Sequence, residues 1–177
     1  KEEKPNEPGI KGVVAELLKV EKKYELAIET ALGSKSKNIV TDNETTAKKM
    51  IEFLKVNKLG RATFLPLTNL EEVKKFEQPD VLSEEGVLGL ASSLVDTEKG
   101  FEVLKGYLLG RTVVVDHIDH ALRIGNKYRH GLYMVTLQGE LFTPGGSITG
   151  GAFKNSSTLL GRKRDIDELT VNVDRLK

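Results

Sequence analysis

The feature that most constrains the fold of this chain is an alternation of helical and strand patterns that runs through the sequence twice. Tyr24, Ala27, Ile28 and Ala31 recur at helical spacing and predict a helix over 21–32, stopped at Gly33. A short apolar strand follows at 38–41, with Asp42 or Asn43 as the cap of the next helix. That helix carries Ala47, Met50, Ile51 and Leu54 on its expected buried face. Gly60 is its expected end, and Arg61–Leu65 reads as a strand closed by Pro66. The second half has the same grammar: a helix near 101–109, a strand over 112–115, a helix from His117 to about Tyr128 capped by Asp116, and a strand over 132–137. An offset of 74 residues carries Val40 onto Val114, Asp42 onto Asp116, Ala47 onto Ala121 and Met50 onto Ile124. The expected fold is α+β or mixed α/β, with two small related subdomains of short sheets and packed helices. The boundaries read as an entry linker at 1–11, a first subdomain at 12–67, a connection at 68–99, a second subdomain at 100–164 and a helical tail at 165–177.

Composition narrows the function. Hydrophobic residues at 38% and charged residues at 30% describe a globular domain with a solvated surface. A net charge of +1 makes any affinity for nucleic acid a matter of a local patch. The absence of cysteine removes disulfides, thiolate chemistry and thiolate-bound metals, and is compatible with a reducing cytoplasm and a bacterial or archaeal source. No apolar run approaches the roughly 20 residues of a membrane helix, so no membrane partner is expected.

The strongest local signal is Pro144-Gly145-Gly146-Ser147-Ile148-Thr149-Gly150-Gly151, with four glycines in seven residues after an apparent strand. Ordering so many glycines is costly and needs a reason. A phosphate cradle is one reading, but neither G-x-x-x-x-G-K-[ST] nor G-x-G-x-x-G occurs here. A flexible loop is a second, opposed by Ile148 in the middle and by Leu141, Phe142 and Phe153 at the flanks. The favoured reading is close approach of a partner's backbone, with the glycines clearing space. The tail offers a second association signal, because Ile166, Leu169, Val173 and Leu176 step as a heptad seam that is still running at Lys177. An ordinary amphipathic terminal helix fits the same spacing.

The motif Gly145–Gly151 resembles the paired-glycine motif in the hinge domain of structural maintenance of chromosomes (SMC) proteins. Gly12–Leu18, Ala27–Gly33, Gly60–Leu67 and Leu160–Arg164 resemble that family as well, and together they span about 9–164. The resemblance implies a module between two coiled-coil segments that pairs with a second hinge domain, here as a homodimer. It implies that Gly145, Gly146, Ser147, Ile148, Thr149, Gly150 and Gly151 form the dimer interface, and that the tail is the root of a returning antiparallel coil. It also implies that the ATPase of the parent protein lies outside this chain, in a nucleoid-associated setting.

Between Ala152 and Arg164 stand Lys154, Arg162, Lys163 and Arg164 with no acid among them. A solvated coil root explains them as readily as weak, nonspecific DNA contact through phosphates. His117 and His120, beside Asp116 and Asp119, are expected as a capping cluster rather than a metal site, since no third ligand is evident. No nucleophile-elbow motif accompanies any Ser, His and Asp order, so neither an enzyme nor a cofactor is expected. Two other classes stay open on the residues alone: a stand-alone nucleic-acid-binding module, and a phosphate- or nucleotide-binding enzyme domain.

Overall fold

The structure, a computed structural model, describes residues 8–71, 75–153 and 159–176. The first unit runs β1 (Ile10–Val13), α1 (Val14–Leu17), β2 (Leu18–Val20), α2 (Glu25–Leu32), β3 (Ile39–Thr41), α3 (Glu44–Val56) and β4 (Phe64–Pro66). The second runs β5 (Val87–Leu90), β6 (Val95–Thr97), α4 (Glu102–Leu109), β7 (Thr112–Val115), α5 (Ile118–Lys127) and β8 (Tyr133–Thr136). It then adds β9 (Leu141–Phe142), β10 (Ile148–Thr149) and α6 (Leu159–Arg175). The mixed α and β character expected from the sequence is what the chain adopts.

The two units are repeats, and the repeat is longer than the sequence pattern indicated. An offset of 77 carries β1 onto β5, β2 onto β6 and α2 onto α4, while 74 carries β3 and the start of α3 onto β7 and α5. The three-residue change is absorbed by the 3₁₀ turn Gly33–Lys37 of the first unit. The segment 68–99 is therefore more than a connection. It supplies β5 and β6, and it buries Val81 from a 3₁₀ turn at Pro79–Ser83. The entry linker is likewise shorter than 1–11, because Ile10 and Lys11 already lie in β1.

β1, β3 and β4 form one sheet in that order; β10, β9, β8, β7 and β5 form another. In each unit the strand before the long helix is parallel to the one after it, and an antiparallel strand lies on the other side. A bulge falls at the same place in both units, with Gly12 opposite Val40 and Gly89 opposite Val114. The third sheet joins the repeats. β2 pairs β6 antiparallel with Leu18 opposite Thr97, Lys19 opposite Asp96 and Val20 opposite Val95. Under the 77-residue offset this pairing is reciprocal, as at an isologous contact, so a pseudo-two-fold axis passes between Lys19 and Asp96.

Packing follows that axis. Val14, Leu18, Ile28 and Val40 from the first unit and Val95, Leu104, Leu109 and Val114 from the second are fully or almost fully buried in one common cluster. A smaller cluster under α5 holds Val113, Val115, Ala121, Ile124, Met134 and Phe142. Thr112–Val115 is buried along its whole length because both faces of β7 are covered, one by each cluster.

Helix starts show a departure from the expected capping. Asn43 caps α3, its Oδ1 accepting the Thr46 N–H at 3.0 Å, while Asp42 accepts from the Thr46 hydroxyl at 2.6 Å. In the second unit Asp116 does not cap α5. His117 does, through Nδ1 and the Asp119 N–H at 3.2 Å, and the Asp116 carboxylate lies 2.7 Å from Nδ1 of His120. That contact holds the Asp116 carboxyl below its usual range. Ile51, expected on the buried face of α3, is instead 40% exposed. No helix among the described residues is long and apolar enough to cross a membrane.

Because the larger core is shared, the two units are expected to unfold together. Ile28→Ala should lower the unfolding free energy by about 2–5 kcal/mol. Urea denaturation followed by circular dichroism should still show a single transition; two separate transitions would mean the halves are independent.

Candidate dimer interface

The glycine stretch is built outward from β8. A turn closed by the Gly139 N–H to Thr136 O bond at 3.0 Å, with Gly139 at φ +87°, brings the chain back as β9. The ring of Phe153 lies over Gly139, where a Cβ would come within 2.8 Å of it. β9 then turns through Pro144, Gly145, Gly146 and Ser147 into β10. Gly146 N–H donates to Thr143 O at 3.1 Å, Thr143 N–H to Ser147 O at 3.1 Å, and Gly145 N–H to His130 O at 2.8 Å. Gly145 and Gly146 sit at φ +100° and +97°, a region that a side chain resists, which accounts for the first glycine pair locally.

In the second pair Gly151, at φ +136°, shares that local reason, and Gly150 does not. At Gly150 a Cβ would lie 3.0 Å from Cγ of Glu140, whereas at Gly151 nothing lies within 4 Å. Gly151 thus faces open space. Every residue from Pro144 to Phe153 is exposed, and Ile148 keeps half its surface in water. β10 is the terminal strand of its sheet, so its outer edge carries unpaired backbone groups. An exposed edge with an apolar residue on it and little side-chain bulk around it is prepared for another strand.

A matching edge lies in the first unit. β4 corresponds to β8, yet where β8 continues into β9 and β10, β4 ends its sheet. The sequence shows a strand at 61–65, of which only Phe64 and Leu65 are in β4, and nothing in it marks that strand as an edge. Leu59, just before it, is exposed.

The heptad-spaced tail is α6. Its root is anchored: Leu160 and Gly161 are buried, the Leu160 N–H donates to Glu29 Oε2 at 3.4 Å, and Arg164 pairs with Glu25 across the fold. Ile166, Leu169, Val173 and Leu176 are all exposed along the rest of the helix. Arg164 also meets Asp165 at 3.2 Å and Glu168 at 3.3 Å, and Lys163 meets Asp167 at 3.4 Å. Hydrogen bonding to Glu25, first among these contacts, raises the Arg164 pKa further. Arg162 lies on the same helix, and Lys154 is outside the described residues. Of the cations expected as a DNA patch, Arg162, Lys163 and Arg164 lie together on one helix root, with Lys163 and Arg164 in ion pairs. Glu25 and Glu29 escaped the sequence reading because their partners are far along the chain, Glu25 and Arg164 being 139 residues apart.

The sheet edges at β4 and β10, an apolar helix stripe and an anchored helix root are features of an association domain. The family pattern described as the SMC proteins flexible hinge domain matches residues 7–125. The Chromosome partition protein Smc of Halothermothrix orenii is 42% identical over 172 residues, covering 96% of this chain and 14% of that protein. The protein of the same description in Bacillus subtilis is 39% identical over 92% of this chain and 14% of its own length. A crystal structure of an asymmetric dimer of the Geobacillus stearothermophilus SMC hinge domain superposes with a TM-score of 0.83 at 34% identity, covering 94% of this chain and 68% of that one. The Pyrococcus furiosus SMC hinge domain does so with a TM-score of 0.69 at 37% identity, over 85% and 76%. The chain belongs to the SMC hinge family, a non-catalytic module. It spans about one seventh of the length of the curated relatives it matches.

The Glu25 contact can be checked directly. Glu25→Gln removes the charge that faces Arg164 from a buried position, so the α6 root should loosen. Amide exchange at Leu160 should quicken by about 2- to 10-fold, the scale of one lost hydrogen bond, while exchange at Val114 stays slow. Equal acceleration at both sites would indicate global destabilisation instead.

Proposed function

We propose that this domain joins two copies of its parent chain, with β10 of each protomer filling the vacancy beside β4 of the other. The observation that carries the reading is the mismatch between repeats: one unit has a glycine-lined hairpin beyond its parallel pair, and the other has an open edge at the same place. A contact between unlike edges, made twice about a two-fold axis, closes into a ring and leaves neither edge open. In this reading Gly145, Gly146, Ser147, Ile148, Thr149, Gly150 and Gly151 are the interface, and the glycines let the partner's backbone approach. That two hinge domains associate is supported by the solved Geobacillus hinge, described as an asymmetric dimer. The exposed stripe of α6 is the root of a coiled coil, in keeping with a Pyrococcus hinge described as carrying an extended coiled coil. Because its relatives are chromosome partition proteins, the parent of this domain is read as a chromosome-partition ATPase of the cytoplasm and nucleoid, with its ATPase outside this chain.

Sedimentation should give a species of twice the 19.5 kDa of one chain. Gly146→Glu places a charge in the proposed contact and should weaken dimerisation by about 30-fold or more. The melting transition of the domain should shift only by the modest cost of a side chain at positive φ. An unchanged dimer would move the interface elsewhere.

DNA contact is a secondary role, made through Lys154, Arg162, Lys163 and Arg164 at the coil root. Phosphates would compete with Asp167, Glu168 and Glu25 for Lys163 and Arg164, so affinity is expected to be weak and to fall steeply with salt. Replacing the four residues with Glu should abolish a mobility shift of duplex DNA at low salt. An unchanged salt slope would show that the contact lies on another surface.

A further inference from the structure

We infer that Phe153 is a positioning residue for dimerisation: its ring, laid across Gly139 beside Thr30 of α2, holds the glycine hairpin in shape before a partner arrives. The inference rests on the paired-edge dimer proposed above and adds what readies one of its edges.

β9 and β10 have two residues each, paired as Ile148 opposite Phe142 and Thr149 opposite Leu141. A ribbon that short is at best marginally stable by itself, and the four glycines around β10 raise the cost of ordering it. A loose hairpin would have to be ordered as it binds, and that cost would be subtracted from the affinity. Burial does not order it, since residues 144–153 are all exposed. The tip has an anchor in the Gly145 N–H to His130 O bond at 2.8 Å. The foot of β10, where the chain leaves the sheet, needs another.

The turn beneath that foot is firmly closed. Thr136 N–H donates to Glu140 O at 3.0 Å, Gly139 N–H to Thr136 O at 3.0 Å and Glu140 N–H to Thr136 Oγ1 at 3.2 Å. Gly139 is buried in this surface turn, between exposed Gln138 and half-buried Glu140. The Phe153 ring and Thr30 cover it: a Cβ there would lie 2.8 Å from both Cε2 and Cζ of Phe153 and 3.2 Å from Oγ1 of Thr30. Thr30 is itself fixed, its hydroxyl donating to Leu26 O at 2.8 Å. Gly150 meets the same turn three residues before the ring, where a Cβ would lie 3.0 Å from Cγ of Glu140. Residues 149–153 thus line one crevice with Glu29, Thr30 and Gly139, and tie the end of β10 to α2. The ring keeps 55% of its surface in water and belongs to neither core cluster. Its contacts serve the hairpin, not the core.

Phe153→Ala should therefore weaken dimerisation by about tenfold in sedimentation equilibrium, the scale of one ordering cost moved onto the binding step. In the Gly146→Glu background, where the dimer is already weakened, the urea midpoint should hardly respond to Phe153→Ala. A marked fall there would make the ring a core residue and overturn the inference. Because the chain has no cysteine, the clamp can also be rebuilt without the ring. A Thr30→Cys, Phe153→Cys chain joined within one protomer by a short bismaleimide should recover most of the affinity, while the unlinked chain stays as weak as Phe153→Ala. Unchanged dimerisation of Phe153→Ala would overturn the inference and leave the paired-edge dimer standing. A linked chain that stays weak does the same, since the ring would then be touching the partner itself. A monomeric unmodified chain, or a dimer indifferent to Gly146→Glu, would remove the paired-edge reading and the inference with it.

Discussion

The antiparallel pairing of β2 with β6 is the constraint on which the remaining architecture depends. Leu18, Lys19 and Val20 face the repeat counterparts of one another in reverse order, so each unit meets the other through the same surface. The residues beneath this ribbon, Val14 and Leu18 from one unit with Ala91 and Val95 from the other, are buried almost completely. The larger core is closed only by both units together, while the smaller cluster under α5 lies within the second. Once the ribbon forms, the positions of both sheets follow, and so does the direction in which each free edge points.

Symmetry within the chain makes the difference between its sheet edges informative. Apart from α1, whose counterpart Ala91–Leu94 is a 3₁₀ turn, the units match as far as β4 and β8, down to the contact between an Asp and the residue four positions on: Asp42 with Thr46, and Asp116 with His120. Glycine is retained beside both contacts, since a Cβ at Gly9 would lie 2.3 Å from Thr46 Oγ1 and one at Gly86 would lie 2.4 Å from His120 Nδ1. Beyond that point only the second unit goes on, into β9 and β10. A surplus strand on one unit and a missing strand on the other is the condition for exchange between two copies.

α2 links the glycine hairpin to the root of α6. Glu25 and Glu29 hold α6 at Arg164 and Leu160, and Thr30, next after Glu29, lies beside Gly139 and Phe153, at the base of the glycine hairpin. The same contacts draw on the charge of the basic cluster. A run without acids in sequence can be nearly neutral in space, because Glu25 belongs to the other end of the chain.

Much of the architecture was legible in residue spacing. The strand at Thr112–Val115, the helices ending at Gly33 and Gly110, the Asn43 cap and the correspondence of Val40 with Val114 all follow from local preference and periodicity, which act over a few residues. The start of the second unit at Gly86 was within reach, since Gly9-Ile10-Lys11-Gly12 and Gly86-Val87-Leu88-Gly89 share their glycines. A single fixed offset hid it, because the turn at Gly33–Lys37 shifts the register by three residues between the two blocks. Other features could not be read at all. Whether a strand is central or at an edge, as for β4, is set by which neighbour arrives in space. Ile51 carries the helical spacing of a buried residue and is nonetheless 40% exposed. The pairing of Arg164 with Glu25 needs the fold that brings them together. Residue spacing alone gives α2 to α5, β3, β4, β7, β8 and their repetition, all products of short-range chemistry, but not β1, β2, β5 or β6. Only the tertiary structure decided which edges stayed open and which charges were already spoken for, because both depend on contacts between residues far apart in the chain.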